Sequence, residues 1–133
     1  MLRTIGAVAG CAVLLAAPAR AEKFSYTCAA RASGTEINFT ADLSSNHGGT
    51  VTGVSGSLAV KDSKLEEKLS KSDVTQTWTS DTAFNIQFGS DNTKWTLIVQ
   101  TNCPKKSKSC RGTFVVAFEK DKSREGAIAC TVK

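Results

Sequence analysis

The sequence predicts an all-β protein: a small antiparallel barrel of about eight strands, with a two-sheet sandwich as the alternative, one short helix near residues 62–70 and two disulfides. Three observations carry this. Apolar and polar residues alternate with period two in segment after segment, the signature of strands that bury one face. Turn-forming clusters such as Asn46-His47-Gly48-Gly49 and Ser90-Asp91-Asn92 separate the segments. Cys28 and Cys130 lie near the two ends of the patterned region, on the apolar parity of the first and last segments, as a bridge inside a closing sheet requires.

The N-terminus has a different character. A basic start at Arg3, an apolar run from Ile5 to Ala17 and the small-residue tripeptide Ala19-Arg20-Ala21 before Glu22 have the layout of a cleavable secretory signal. We therefore expect residues 1–21 to be a signal peptide and residues 22–133 to be a single all-β domain, with a periplasmic or secreted destination in a bacterium. The apolar run is shorter than the ~18 residues a membrane helix needs, and no later segment approaches that length, so no transmembrane segment is expected. Val8-Ala9-Gly10-Cys11 looks like a lipoprotein cleavage box, but a lipidated Cys11 would strand the apolar stretch after it on the mature side. Cys11 reads instead as an apolar signal residue. Without residues 1–21 the chain keeps 112 residues, 15 of them basic and 12 acidic, for a net charge of +3. That is one ordinary domain, mildly basic rather than nucleic-acid-like.

An oxidising destination favours disulfides among Cys28, Cys103, Cys110 and Cys130. Of the three possible connectivities, Cys103 with Cys110 closes a tight loop and Cys28 with Cys130 joins the chain ends. In the chain-entropy model these bridges contribute about 2.5 and 4.7 kcal/mol respectively. A four-thiolate zinc site lacks its usual paired C-x-x-C spacing, so neither a metal nor a cofactor is expected.

The first strand carries Phe24, Tyr26 and Cys28 on one parity, and the second Ile37, Phe39, Ala41 and Leu43, with a turn at Arg31 to Gly34 between them. A weaker strand runs from Thr50 to Val60, where Gly53 and Gly56 point to a bulge or bend. Ser63 followed by Glu66 resembles a capping box, and Leu65 and Leu69 share a helical face, which predicts the helix; Lys64, Glu66, Glu67, Lys68 and Lys71 form its solvated side. Strands resume with Val74, Gln76 and Trp78, then Phe84, Ile86 and Phe88, then Trp95, Leu97 and Val99. The last two hold Phe114, Val116 and Phe118, and Ile128, Cys130 and Val132. All nine aromatic residues fall on apolar parities, so the expected interior is filled by side chains rather than hollow for a ligand.

Motifs for catalysis are missing. His47 follows Asp42, Ser44 and Ser45 too closely to converge with them as a triad, and no nucleophile elbow surrounds either serine. No catalytic residue is assigned, and a small hydrolase using His47 is kept only as an alternative. Glu66-Glu67 reads as surface, and Asp81, Asp91 and Asp121 as turn residues. The most distinctive surface feature is the loop from Cys103 to Arg111, which displays Lys105, Lys106, Lys108 and Arg111 on a disulfide-stiffened frame. Such a cluster attracts an anionic envelope component or an acidic patch on another envelope protein. With every aromatic assigned to the core, base stacking has no platform and no nucleic-acid partner is expected.

Tyr26-Thr27-Cys28 just after the leader, in a short exported β chain with a cysteine near its end, resembles the periplasmic lysozyme inhibitors of the MliC type. The resemblance covers only these few residues. That family's Ser-Gly-x-x-Tyr stretch is not found, since Ser55-Gly56 leads into Ser57-Leu58-Ala59, and its Trp-x-Lys-Gly motif is absent around Trp95. It implies an inhibitor of an envelope enzyme as the alternative function. The main expectation is an exported, non-enzymatic binding module whose cationic loop meets an anionic surface.

Overall fold

Ser33 and Gly34 both have positive φ, 55° and 71°, which is the backbone of a two-residue type I′ turn and suits the right-handed twist of the strands on either side. They reverse the chain between β1 (Lys23–Ala32) and β2 (Thr35–Ser44), which pair antiparallel over their whole length, from Lys23↔Ser44 to Ala32↔Thr35. The computed structural model describes residues 23–44, 50–80, 83–89, 94–103 and 108–133. The signal-peptide assignment, Cys11, His47, Lys105, Lys106, Asp81 and Asp91 lie outside the described residues. Within them the strands continue with β3 (Thr50–Val60), β4 (Leu65–Ser70), β5 (Val74–Thr79), β6 (Phe84–Phe88), β7 (Trp95–Thr101), β8 (Ser109–Phe118) and β9 (Arg124–Val132). No helix among the described residues is long and apolar enough to cross a membrane.

All nine strands belong to one antiparallel sheet in the order β4-β3-β2-β1-β9-β8-β7-β6-β5, curled into a nearly closed barrel. The continuous order excludes two separate sheets. The first and last strands meet in register from Tyr26↔Val132 to Ala29↔Ala129, and Cys28 lies directly opposite Cys130. Their Cα atoms are 4.0 Å apart and the two are bridged, as are Cys103 and Cys110. Both pairings are those that the spacing of the cysteines favours.

The segment at 62–70 is not a helix. Lys61–Ser63 and Lys71–Asp73 are single 3-10 turns, and between them β4 pairs with β3 from Val60↔Leu65 to Ser55↔Ser70. Leu65 and Leu69 misled because a spacing of four satisfies both periods: it is one helical turn, and it is also an even number of strand positions. The three charged residues between them, Glu66, Glu67 and Lys68, erase the alternation that would have revealed a strand. A capping box forms seven residues later, where Asp73 accepts from the backbone N–H and the hydroxyl of Ser70 at 2.9 and 3.1 Å.

The registers show that β4 and β5 run in the same direction, β4 on β3 and β5 on β6. They are two halves of one bent line, offset at Lys71–Asp73, where the carbonyl of Asp73 accepts from the Gly89 N–H at 2.8 Å. The barrel therefore contains the eight strands read from the sequence and a ninth, β4, where a helix was expected. Its seam lies where this line changes partners, because β4 and β5 are the two ends of the sheet order. Glu67 shares the parity of Leu65 and Leu69 yet is exposed, a charge on an edge strand that discourages pairing with another chain.

Alternation is otherwise obeyed. Tyr26 and Phe84 stack with ring centroids 3.9 Å apart, Phe24 meets Tyr26 edge-on at 5.5 Å and Phe39 meets Phe88 edge-on at 5.2 Å. With Phe114, Trp95, Ile37, Leu58 and Leu97 they fill the interior, so the barrel is packed with side chains. The predicted irregularity in β3 is present: Asp42 pairs with Gly53 but Leu43 with Val51, leaving Thr52 as the extra residue of a bulge. A second bulge was not visible in the sequence. Val74 pairs with Phe88 but Gln76 with Gln87, so Thr75 is extra and the parity of β5 inverts beyond it. Trp78 therefore points outward and is 52% exposed, contrary to the expectation that every aromatic is internal, while Thr79 is buried in its place. Gln76 and Trp78 share a parity, so keeping the amide in water carries the indole out with it.

Gly56 marks a close approach of two strands. A Cβ there would lie 2.2 Å from the Asn38 carbonyl oxygen and 2.5 Å from the Phe39 Cα, both backbone atoms. Gly56→Ala should destabilise the barrel by about 1–3 kcal/mol through forced separation of β2 and β3, read as a lowered thermal midpoint with unchanged secondary structure.

Candidate functional site

Antiparallel lines alternate the two barrel ends. One end carries the turns at Ser33–Gly34, residues 61–64 and residues 119–123; the other carries Lys23, Lys133 and the Cys103 to Cys110 loop. The predicted binding cations are divided between described and undescribed residues. Lys108 and Arg111 are exposed on the stem of the loop, while Lys105 and Lys106 belong to residues 104–107, outside the description.

The stem is held tightly. Thr101 donates its hydroxyl to the Phe84 carbonyl at 2.7 Å and accepts from the Cys103 N–H at 3.3 Å, and the Asn102 N–H donates to the Arg111 carbonyl at 3.2 Å. Lys108 is tied to the last strand by the Val132 N–H at 3.4 Å. Reciprocal bonds of 3.0 and 2.9 Å between Ser25 and Lys133 fix the start of β1 against the end of β9 beside it. Lys23, Lys108, Arg111 and Lys133 thus share one end of three adjacent strands, β1, β9 and β8, all four exposed. Among the described residues the acidic side chain at that end is Asp42, which accepts a hydrogen bond from the Ser25 hydroxyl.

Below this rim the outer face of the same strands forms a shallow furrow of about 500 Å³. Its outward side chains stand in two rows set by register, Thr27, Thr131 and Ser109, then Ala29, Ala129 and Arg111. Small and hydroxyl side chains keep the furrow open, and Arg111 supplies a charged fork at its edge.

The opposite end mixes its charges. Arg31 pairs with Glu36 at 2.9 Å, and Arg124 pairs with Asp121 at 3.4 Å and lies over the Phe118 ring at 5.6 Å. A cleft of about 380 Å³ opens there over Leu65, Trp95 and Phe118 with Lys94, Lys120, Glu119 and Asp121 around it. Asp121 accepts from the Ser63 hydroxyl at 2.8 Å and from the Lys122 N–H at 2.7 Å. These bonds, helped by Arg124, hold its carboxyl below the usual carboxylate range. Lys120, Lys122 and Arg124 therefore do not extend the cationic rim, because consecutive turns lie at opposite ends.

Glu66 and Glu67 are exposed, as expected of surface residues. Among the described residues no group of three or more His, Cys, Asp or Glu side chains is placed to hold a metal ion. One perturbed titratable group is internal: the Tyr26 hydroxyl is fully buried without a hydrogen-bond partner among the described residues, and burial pushes it up to about 12. The feature that sequence reasoning missed is the exposed Trp78, since only pairing with β6 reveals the bulge at Thr75. Comparison with protein-family models, with curated proteins and with solved structures found no match.

Two outcomes follow from these groups. A tyrosine that keeps its proton to about 12 when folded, against about 10 when unfolded, contributes stability that is complete below pH 10 and lost as pH rises toward 12. Tyr26→Phe should match or exceed the parent at pH 7, by up to about 1–2 kcal/mol, and lose less stability between pH 10 and 12 in denaturant melts. Asp121 has the opposite sign, stabilising above the carboxylate range and ceasing to as pH falls through its lowered pKa. Ser63→Ala should return that pKa toward its ordinary value in a carboxyl NMR titration.

Proposed function

We propose that the protein is an exported, non-enzymatic binding module, active in the periplasm or outside the cell, that holds an anionic ligand at the cationic end of its barrel. The observation that carries this reading is the same-sign rim of Lys23, Lys108, Arg111 and Lys133 on a disulfide-closed stem, above an open furrow lined by hydroxyls. Lys105 and Lys106 belong to the same loop and add to its charge. Like charges gathered at one end, with Asp42 already engaged by Ser25, favour an anion over water because the ligand removes their mutual repulsion. A stem held by the disulfide and by the Thr101 and Asn102 bonds loses little entropy on binding. The filled interior directs recognition to the outside of the barrel.

The probes are phosphatidylglycerol vesicles and inorganic polyphosphate, offered to the purified protein beside phosphatidylcholine vesicles. Binding to an anionic probe should weaken at least tenfold between about 20 and 300 mM salt, and equally when Lys105, Lys106, Lys108 and Arg111 are all changed to Ser. Binding that survives both changes removes the rim as the site and favours the envelope-enzyme inhibitor instead.

A further inference from the structure

A second surface has a different chemistry. Three strands around the barrel from the furrow, the outer face of β5, β6 and β7 forms a groove of about 590 Å³, and every residue lining it is uncharged. Register sets its outward side chains in two rows, Gln76, Gln87 and Ile98, then Trp78, Asn85 and Gln100. With strands ~4.8 Å apart and alternate residues ~6.8 Å apart, the rows span ~10 by 7 Å, one to two sugar rings.

Trp78 is the large hydrophobic residue that the described part of the chain leaves exposed, and the bulge at Thr75 puts it there. Bulges re-aim side chains near functional sites, and an indole left in water forgoes the burial of a large apolar surface. Around it stand four primary amides. Asn85 accepts from the Thr101 N–H through Oδ1 at 3.3 Å, which orients its carboxamide and leaves the NH₂ as donor.

Each part of this surface selects against one class of ligand. A nucleic-acid strand or a phosphorylated ligand needs cations along its path, and the groove has none. A wholly apolar partner would leave four amides desolvated and unpaired. A neutral pyranose satisfies both parts: its C–H face packs on the indole, and its ring of hydroxyls both donates and accepts, as a carboxamide does. We infer that the outer face of β5, β6 and β7 is a binding site for a neutral oligosaccharide, with Trp78 as the stacking platform and Gln76, Asn85, Gln87 and Gln100 as the groups that bond its hydroxyls.

The site is separate from the cationic rim and is tested without it. The chain has two tryptophans, Trp95 being buried, so a ligand on Trp78 is read directly in the emission spectrum. The purified protein is titrated with chitotetraose, cellotetraose and maltotetraose, with oligothymidylate as the charged stacking control. At least one neutral tetrasaccharide should shift the emission to the blue with a Kd of about 1 mM or tighter, insensitive to salt. Trp78→Ala and Asn85→Ala should each weaken it about tenfold or more, with Trp78→Phe intermediate and the loop-cation variant unchanged. Folding of each variant is checked by its thermal midpoint. Silence with all three sugars, binding that persists in Trp78→Ala, a response to oligothymidylate alone, or Trp78-dependent self-association in sedimentation would each overturn the assignment.

Discussion

The joint between β1 and β9 is the constraint on which the barrel depends. It is formed from the first and last strands, so ordering it closes a loop of 102 residues, yet its ladder runs only from Tyr26↔Val132 to Ala29↔Ala129. The other side of the sheet has no comparable joint, because β4 and β5 are joined by a turn of chain and not by a ladder. Were β1 and β9 to part, two meanders would remain, β1 to β4 and β5 to β9, each with its apolar face uncovered. The Cys28–Cys130 bridge lies inside this short ladder, buried among the core residues, and removes most of the loop-closure cost from the unfolded side of the balance.

Closure by a shared line explains several local departures from regularity. A line that pairs first with β3 and then with β6 must step sideways, and the 3-10 turn at Lys71–Asp73, stabilised by Ser70 and Gly89, makes that step. The bulge at Thr75 follows at once, as β5 adjusts to β6. Its product is the outward Trp78, so the architecture that closes the barrel also creates the most unusual feature of its surface.

A barrel filled by stacked aromatics keeps its chemistry outside. The described charges are unevenly placed, with cations gathered where the start of β1, the end of β9 and the stem of the Cys103 to Cys110 loop meet, and opposed charges paired at the other end. A cationic rim beside a hydroxyl-lined furrow and an uncharged amide face around Trp78 are complementary to different ligands, and they lie on strands that do not overlap.

The sequence by itself determined the fold class, eight of the nine strands and both disulfide pairings. Alternation reports burial of one face directly, and the parity of Cys28 and Cys130 reports which face they share. It also located the bulge region near Gly53. Other features depended on neighbours distant in the chain. Leu65 and Leu69 suit helix and strand alike, and it is β3, already in place to offer Val60 and Gly56 as partners, that makes them a strand. The direction of Trp78 turns on one unpaired residue at Thr75, decided by β6, because a single-residue slip inverts a strand's faces without changing its composition. Lys108 and Arg111 were legible as cations, but their company, Lys23 and Lys133, was assembled only when the first and last strands met at the joint of β1 and β9.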